Sequence, residues 1–226
     1  MNKPQISVSL MCMDLLRVEE QLRVLDQYSD WYHMDIMDWH YVRNITLSPD
    51  FMKAVRRASN VPMDAHLMVD PVDMDLISLC IESGVNCVSV HPDTCAPRIY
   101  RIISELRRAN VQFGVVLNPS TTLETVFPYL RQIDKITFMA VDPGFAGQSF
   151  IPDVLEKLRR CKRLRERENL HFVLEVDGGC NPATYRSILE AGCEQVIVGG
   201  SGLFRRNENL QEAAILLHKD LQEAVQ

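Results

Sequence analysis

Two hydrophobic rhythms alternate along this chain. Short β-rich apolar runs fall at residues 6–10, 31–37, 62–69, 86–90, 112–117, 135–141, 172–176 and 195–198, which predicts eight strands. Between them apolar residues recur at helical spacing, as in Leu15, Val18, Leu22 and Leu25 early in the chain and Leu210, Ala214, Leu217 and Leu221 at its end. Ser48-Pro49 and Asn181-Pro182 are helix starts, a capping side chain followed by a residue that needs no N–H donor, and Gly84 and Gly192 sit where helices stop. Strand–helix alternation over eight units predicts a parallel sheet with helices outside, and the count of eight favours closure into a (β/α)8 barrel. A doubly wound open sheet is the alternative that periodicity alone does not separate from it.

Length and composition narrow the class. A barrel of this type takes about 250 residues, so 226 residues leave room for one with short connections. The expectation is a single domain over 1–226, with no glycine- or serine-rich linker. The net charge of -6 is spread along the chain without a basic stripe, so nucleic acid is not expected as a partner. The densest charge run, RRCKRLRERE from Arg159 to Glu168, alternates in sign like the solvated face of a helix. No apolar stretch has the roughly 18 residues a membrane span needs, and the first residues lack a signal-like apolar run, so the expected location is cytoplasmic. Seven cysteines, odd in number and without a CxxC pair, read as reduced, mostly buried thiols.

In a barrel the chemistry gathers where strands end, and the polar residues of the apolar runs collect there. Ser9 closes the first run, His33 and Asp35 lie in the second, Asp64 and His66 in the third, His91 follows the fourth, Asn118 the fifth, and Glu175 and Asp177 close the seventh. A spacing of two puts His33 and Asp35 on the same face of their strand. Two imidazoles and two carboxylates, His33, Asp35, His66 and Asp177, form a donor set for one divalent cation, zinc foremost, with iron(II), manganese and cobalt sharing the ligand types.

Three glycine-rich turns follow the last three strands: Gly144, Phe145, Ala146 and Gly147, then Gly178 and Gly179, then Gly199, Gly200, Ser201 and Gly202. Glycine allows the backbone to approach an anion and point N–H groups at it, and the loops after strands 7 and 8 are where barrels commonly hold phosphate. Met37, Met68 and Met139, also at strand ends, are candidates for an apolar pocket lining.

The stretches SVSLMCMDLL, HMDIMD, DAHLMV, VSVHPDT, VVLNP, DKITFMAVDPGFAGQSFIP, LEVDGGCNPATY and VIVGGSGLF run nearly end to end. In them the chain resembles the ribulose-phosphate 3-epimerase family, and within it looks most like the D-allulose-6-phosphate 3-epimerases. The resemblance implies a metal-dependent, phosphate-binding barrel that epimerises carbon 3 of a ketose phosphate. The substrate would be D-allulose 6-phosphate, giving D-fructose 6-phosphate, with D-ribulose 5-phosphate as the alternative, and the assembly a homo-oligomer. It further implies that His33, Asp35, His66 and Asp177 hold the metal, that Asp35 and Asp177 form the acid/base pair, and that Ser9, His66, Asp177 and the three glycine turns contact substrate and phosphate. Trp39 and Arg43 stand where the family usually has glycine and proline, and Val8 where proline is usual. A ring at Trp39 is therefore expected to cover or narrow the pocket mouth. A phosphate-barrel lyase is disfavoured because DAHLMVD lacks the lysine of the lyase motif. A non-catalytic sugar-phosphate sensor is disfavoured because no ligand is missing.

Overall fold

The computed structural model describes residues 3–226. Its strands are β1 Gln5–Ser9, β2 Trp31–Met37, β3 Met63–Met68, β4 Cys87–Val90, β5 Gln112–Leu117, β6 Lys135–Met139, β7 Val173–Asp177 and β8 Gln195–Val198. Each pairs in parallel with the next, and β8 pairs with β1, closing the barrel. The open doubly wound alternative is excluded by that last pairing. Expected and observed bounds differ by at most two residues at a strand end, the usual fraying of element boundaries.

Helices α1 Val18–Leu25, α2 Pro49–Ala58, α3 Met74–Glu82, α4 Pro92–Cys95, α5 Ile99–Arg108, α6 Val154–Arg167, α7 Tyr185–Glu190 and α8 Leu210–Val225 carry the crossovers, with a 3-10 segment at Leu123–Gln132 between β5 and β6. Pro128 lies inside that segment and Tyr129 leaves helical geometry, since proline removes a backbone donor there. Ser48 caps α2 as expected, its Oγ accepting from Phe51 N at 3.3 Å. Gly84 and Gly192 have φ of 78° and 109° just past α3 and α7, the left-handed stop glycine tolerates.

Two expectations shift. The first helix begins at Val18 and leaves Leu15 exposed, because Asp14 Oδ1 accepts from Leu16 N at 3.0 Å and holds residues 14–16 in an Asx turn. Asn181-Pro182 opens a turn instead of a helix. Asn181 Oδ1 accepts from Ala183 N at 3.0 Å, and the helix starts at Tyr185.

Alternate strand residues divide the core. Ile6, Tyr32, Met34, Ala65, Val88, Phe113, Phe138, Leu174 and Val196 are buried in one cluster with helix residues such as Leu22, Ile102, Leu158 and Leu217. The other parity fills the barrel lumen, and in its lower layers it is polar: Ser7, His33, Asp64, Ser89, Lys135, Thr137, Glu175 and Gln195 are all buried. The lumen is so full that a Cβ on Gly114 would sit 2.1 Å from Ser89 Oγ, so β5 takes glycine where its neighbours carry side chains. All seven cysteines are free and six are buried. The charge run on α6 makes ion pairs from Arg160 to Glu124, Arg163 to Glu156 and Arg165 to Glu194. Among the described residues no helix is long and apolar enough to cross a membrane.

Candidate active site

Register brings the polar residues together. Asp35 on β2 stands opposite His66 on β3, and His33 opposite Asp64; Met139 on β6 stands opposite Asp177 on β7. With β8 and β1 closing the circle, Asp177 lies three strands from Asp35 around the rim. One donor atom each from His33, Asp35, His66 and Asp177 falls within 4.8 Å of the others.

His33 Nε2 lies 3.1 Å from His66 Nδ1 and 3.4 Å from Asp35 Oδ1. His66 Nδ1 is 3.4 Å from the same oxygen, and each imidazole nitrogen is 3.9 Å from Asp177 Oδ2. Ser9 Oγ donates to Asp35 Oδ2 at 2.7 Å, leaving Oδ1 for the cluster, and Thr46 Oγ1 donates to the Asp35 carbonyl.

The charges are out of balance in a way that fits a cation. Burial opposes ionisation of Asp35, yet the facing His33 and the hydrogen bonds of His33 and His66 hold its pKa below the usual carboxylate range. Burial alone would push His33 down, but Asp35, Asp64 and Asp177 draw it well above its ordinary value. For Asp177, burial, with repulsion from Asp35 added and partly offset by His33, raises the pKa to about 6. Two imidazole nitrogens face each other across a distance that holds at most one proton, beside two crowded carboxylates. A divalent ion relieves both conflicts, and the N₂O₂ donor set suits zinc, manganese, cobalt or iron(II).

Beneath the cluster lies a second layer. Lys135 Nζ donates to Asp64 Oδ2 at 2.5 Å and lies 3.1 Å from Glu175 Oε2. Thr137 Oγ1 donates to Glu175 Oε2 at 2.6 Å, and Ser89 Oγ to Asp64 Oδ1 at 2.8 Å. Asp64 Oδ2 is also 3.3 Å from His33 Nδ1, out of line for a full hydrogen bond. To one side, His91 Nε2 faces His66 Nε2 at 2.9 Å; burial, reinforced by His66, holds the His91 pKa well below its ordinary value.

Above the cluster opens a cavity that faces solvent. It is lined by Ser9, Asp35, Asp177, the methionines Met37, Met68 and Met139, and all three glycine turns through Ser201. The sequence reading also missed wall residues Met11, Cys12, Val141 and Ile197, whose apolar or thiol side chains carry no motif of their own. His33 and His66 are fully buried under the floor, so His66, expected as a substrate contact, does not reach the cavity wall. Gly178 has φ 97°, and a Cβ there would come within 2.5 Å of Val141, so only glycine serves at that turn.

Trp39 corrects the sequence expectation. It does not line the cavity. Its φ of 71° is rare for a bulky residue, the residue is 50% exposed, and the Arg43 guanidinium lies 5.9 Å from its ring centroid. The loop is tied down instead by Trp39 N donating to Asn44 O at 3.0 Å and Asn44 Nδ2 donating to Gly144 O at 2.9 Å, which turns the ring outward.

The family model described as "Ribulose-phosphate 3 epimerase family" matches residues 5–204. The chain is 36% identical over 206 residues to the ribulose-phosphate 3-epimerase of Buchnera aphidicola subsp. Schizaphis graminum, covering 90% of this chain and 89% of that protein. It is 33% identical over 206 residues to the Bacillus subtilis protein of the same name, covering 90% and 94%. Among solved structures, KGPDC from Streptococcus mutans superposes with a TM-score of 0.74 at 14% identity, with 99% of each chain covered. A mutant tryptophan synthase alpha-subunit from Pyrococcus furiosus gives 0.70 at 18%, covering 100% and 99%. At such identities these two likenesses concern the barrel fold alone.

Proposed function

The chain belongs to the ribulose-phosphate 3-epimerase family, and from that premise we propose that it inverts carbon 3 of a ketose phosphate, with D-ribulose 5-phosphate and D-xylulose 5-phosphate as the exchanged pair. The names carried by its relatives support the five-carbon substrate over the D-allulose 6-phosphate expected from the motifs. The six-carbon pair, D-allulose 6-phosphate and D-fructose 6-phosphate, is the second reading. Its support is the resemblance of the motifs from SVSLMCMDLL to VIVGGSGLF to the D-allulose-6-phosphate 3-epimerases.

The observation that carries the chemistry is the placement of Asp35 and Asp177, which come from different sides of one cavity floor and share one cluster with two imidazoles. The proton on carbon 3 is adjacent to a carbonyl, and its removal leaves an enediolate. Inversion needs a proton removed from one face and another delivered to the opposite face, so two carboxylates take the two roles and exchange them in the reverse direction. Ser9, donating to Asp35 Oδ2, orients that carboxylate. The buried methionines Met37, Met68 and Met139 keep water from the reacting carbon. The glycine turns at 144–147, 178–179 and 199–201 present backbone N–H groups to phosphate, anchoring the substrate by a part that does not react. His33, Asp35, His66 and Asp177 would hold one divalent ion per subunit, zinc foremost; its contribution when bound is Lewis-acid stabilisation of the developing negative charge. A homo-oligomeric assembly belongs to the same proposal and is read by light scattering.

The test is a coupled assay comparing kcat/KM for D-ribulose 5-phosphate and D-allulose 6-phosphate, with solvent-deuterium exchange at carbon 3 followed by NMR in metal-loaded Asp35→Asn and Asp177→Asn. Each variant should lose epimerisation by several orders of magnitude while still exchanging the proton of one epimer, the two variants acting on opposite epimers. Near-normal epimerisation by either metal-loaded variant would refute the two-base assignment.

A further inference from the structure

Three imidazoles stand in a buried row. His33 Nε2 faces His66 Nδ1 at 3.1 Å and His66 Nε2 faces His91 Nε2 at 2.9 Å, with ring centroids 5.1 and 5.0 Å apart. All three rings are fully buried, so water cannot supply a missing donor or acceptor. Between the two facing Nε2 atoms there is room for one proton, and its owner decides what the other side of His66 can do. If His91 carries it, neutral His66 holds its own proton on Nδ1, where it points into the cluster toward Asp35 Oδ1 at 3.4 Å and blocks coordination. If His66 carries it on Nε2, the Nδ1 lone pair is free for a metal.

His91 is built to be an immobile acceptor. It follows β4 at the start of α4, and its carbonyl accepts from Thr94 N at 3.1 Å, Thr94 Oγ1 at 3.0 Å and Cys95 Sγ at 3.3 Å. The Tyr41 ring lies against its imidazole, centroids 4.7 Å apart, and Tyr41 is itself held by Asn118 Nδ2 donating to its hydroxyl at 2.6 Å. His91 Nδ1 has no hydrogen-bond partner. In the tautomer that accepts from His66 this nitrogen carries the His91 proton and goes unpaired, a cost that metal binding at the freed His66 Nδ1 must offset.

We propose that His91 is a positioning residue that accepts the Nε2 proton of His66 and so turns the Nδ1 lone pair of His66 into the metal site. The inference rests on the reading of His66 as a metal ligand. It assigns His91 no contact with substrate, consistent with its absence from the cavity wall. Without the acceptor, a buried His66 Nε2–H would be unsatisfied, and the ring would escape that penalty by moving its proton to Nδ1, in competition with the metal. Partners of this kind typically change metal affinity 10- to 100-fold.

The experiment uses protein labelled with 15N only in its six histidines and loaded with zinc. Long-range 1H–15N correlation should show His66 protonated on Nε2 and His91 on Nδ1; a proton on His66 Nδ1 in the zinc-loaded protein overturns the proposal and requires no variant to fold. In parallel, zinc affinity is measured by chelator competition for the wild type, His66→Asn, His91→Leu and His91→Gln. His91→Leu should bind roughly 10- to 100-fold more weakly, and His91→Gln, whose amide oxygen can accept the same proton, should recover most of the loss. Wild-type affinity in His91→Leu overturns the proposal. If His66→Asn binds zinc as tightly as the wild type, the metal reading itself fails, before the His91 variants are compared.

Discussion

Lys135→Met is the most direct test of the buried charge layer. The side chains are close in length, so the substitution removes a charge and its donors with little change in volume. Lys135, Asp64 and Glu175 are 3%, 0% and 0% exposed, with contacts of 2.5 and 3.1 Å from the ammonium to the two carboxylates. Breaking a buried pair by deleting one partner costs about 3–5 kcal/mol, because the other charge is left without compensation; here two carboxylates are stranded, which places the expectation in the upper part of that range. Unfolding entropy of about 2.1 cal/mol/K per residue over 226 residues means that each kcal/mol moves Tm by roughly 2 °C, so the variant should melt roughly 8–10 °C lower.

The measurement is urea unfolding in excess chelator, so that metal linkage does not mask the change. Trp31 is a suitable reporter, its ring centroid being 5.7 Å from Lys135 Nζ. Adding Glu175→Gln to Lys135→Met removes one of the stranded charges and should recover part of the loss, giving a coupling energy on the order of 1 kcal/mol or more. A loss below about 1 kcal/mol for Lys135→Met, or a double variant no more stable than the single one, would refute the account of the lumen as a mutually compensated ionic layer.

Chelation should abolish turnover, and zinc, manganese, cobalt or iron(II) should restore it; full activity of metal-free protein would contradict the ligand assignment. Trp39→Gly should change stability by less than about 1 kcal/mol, since relief of its positive φ offsets the greater freedom of glycine in the unfolded chain. The ratio of kcat/KM for five- and six-carbon substrates should move by less than about threefold, because the ring does not line the cavity; a larger change would restore Trp39 to the site. The Arg205 guanidinium packs against two of the glycine turns, its nearest atoms 3.3 and 2.9 Å from where a Cβ on Gly147 or Gly200 would stand. Arg205 lies outside the cavity wall, so Arg205→Ala should act only through the two turns it props, raising KM for the phosphorylated substrate severalfold with kcat little changed; an unchanged KM would show that the turns hold their shape without it. Gly114→Ala should destabilise by about 1–3 kcal/mol or more, because its methyl group must displace Ser89 in a filled lumen, and equal denaturation midpoints would show that the lumen can yield.

The local order of this protein was written in its sequence. Runs of period two against runs of period 3.6 located eight strands, and the spacing of His33 and Asp35 put both on one face, because side-chain direction along a strand depends only on neighbouring residues. Capping at Ser48 and the stops at Gly84 and Gly192 were legible for the same reason. Register was not, and closure, which the count of eight favoured over an open sheet, was decided by the β8–β1 pairing. That Asp35 meets His66, that Asp177 lies three strands away around the rim, and that Lys135 reaches both Asp64 and Glu175 are consequences of hydrogen bonds between strands distant in sequence. His91 was visible as one more polar strand end, but its significance is a 2.9 Å contact between two ring nitrogens that exists only once β3 and β4 are paired. Trp39 shows the opposite failure. Its position after a ligand strand suggested the pocket, while a backbone tied to Asn44 and Gly144 through the loop after β6 turned the ring to solvent. Periodicity is local and survives in the sequence; proximity across a closed barrel is set by inter-strand register and packing, and only the folded chain decides it.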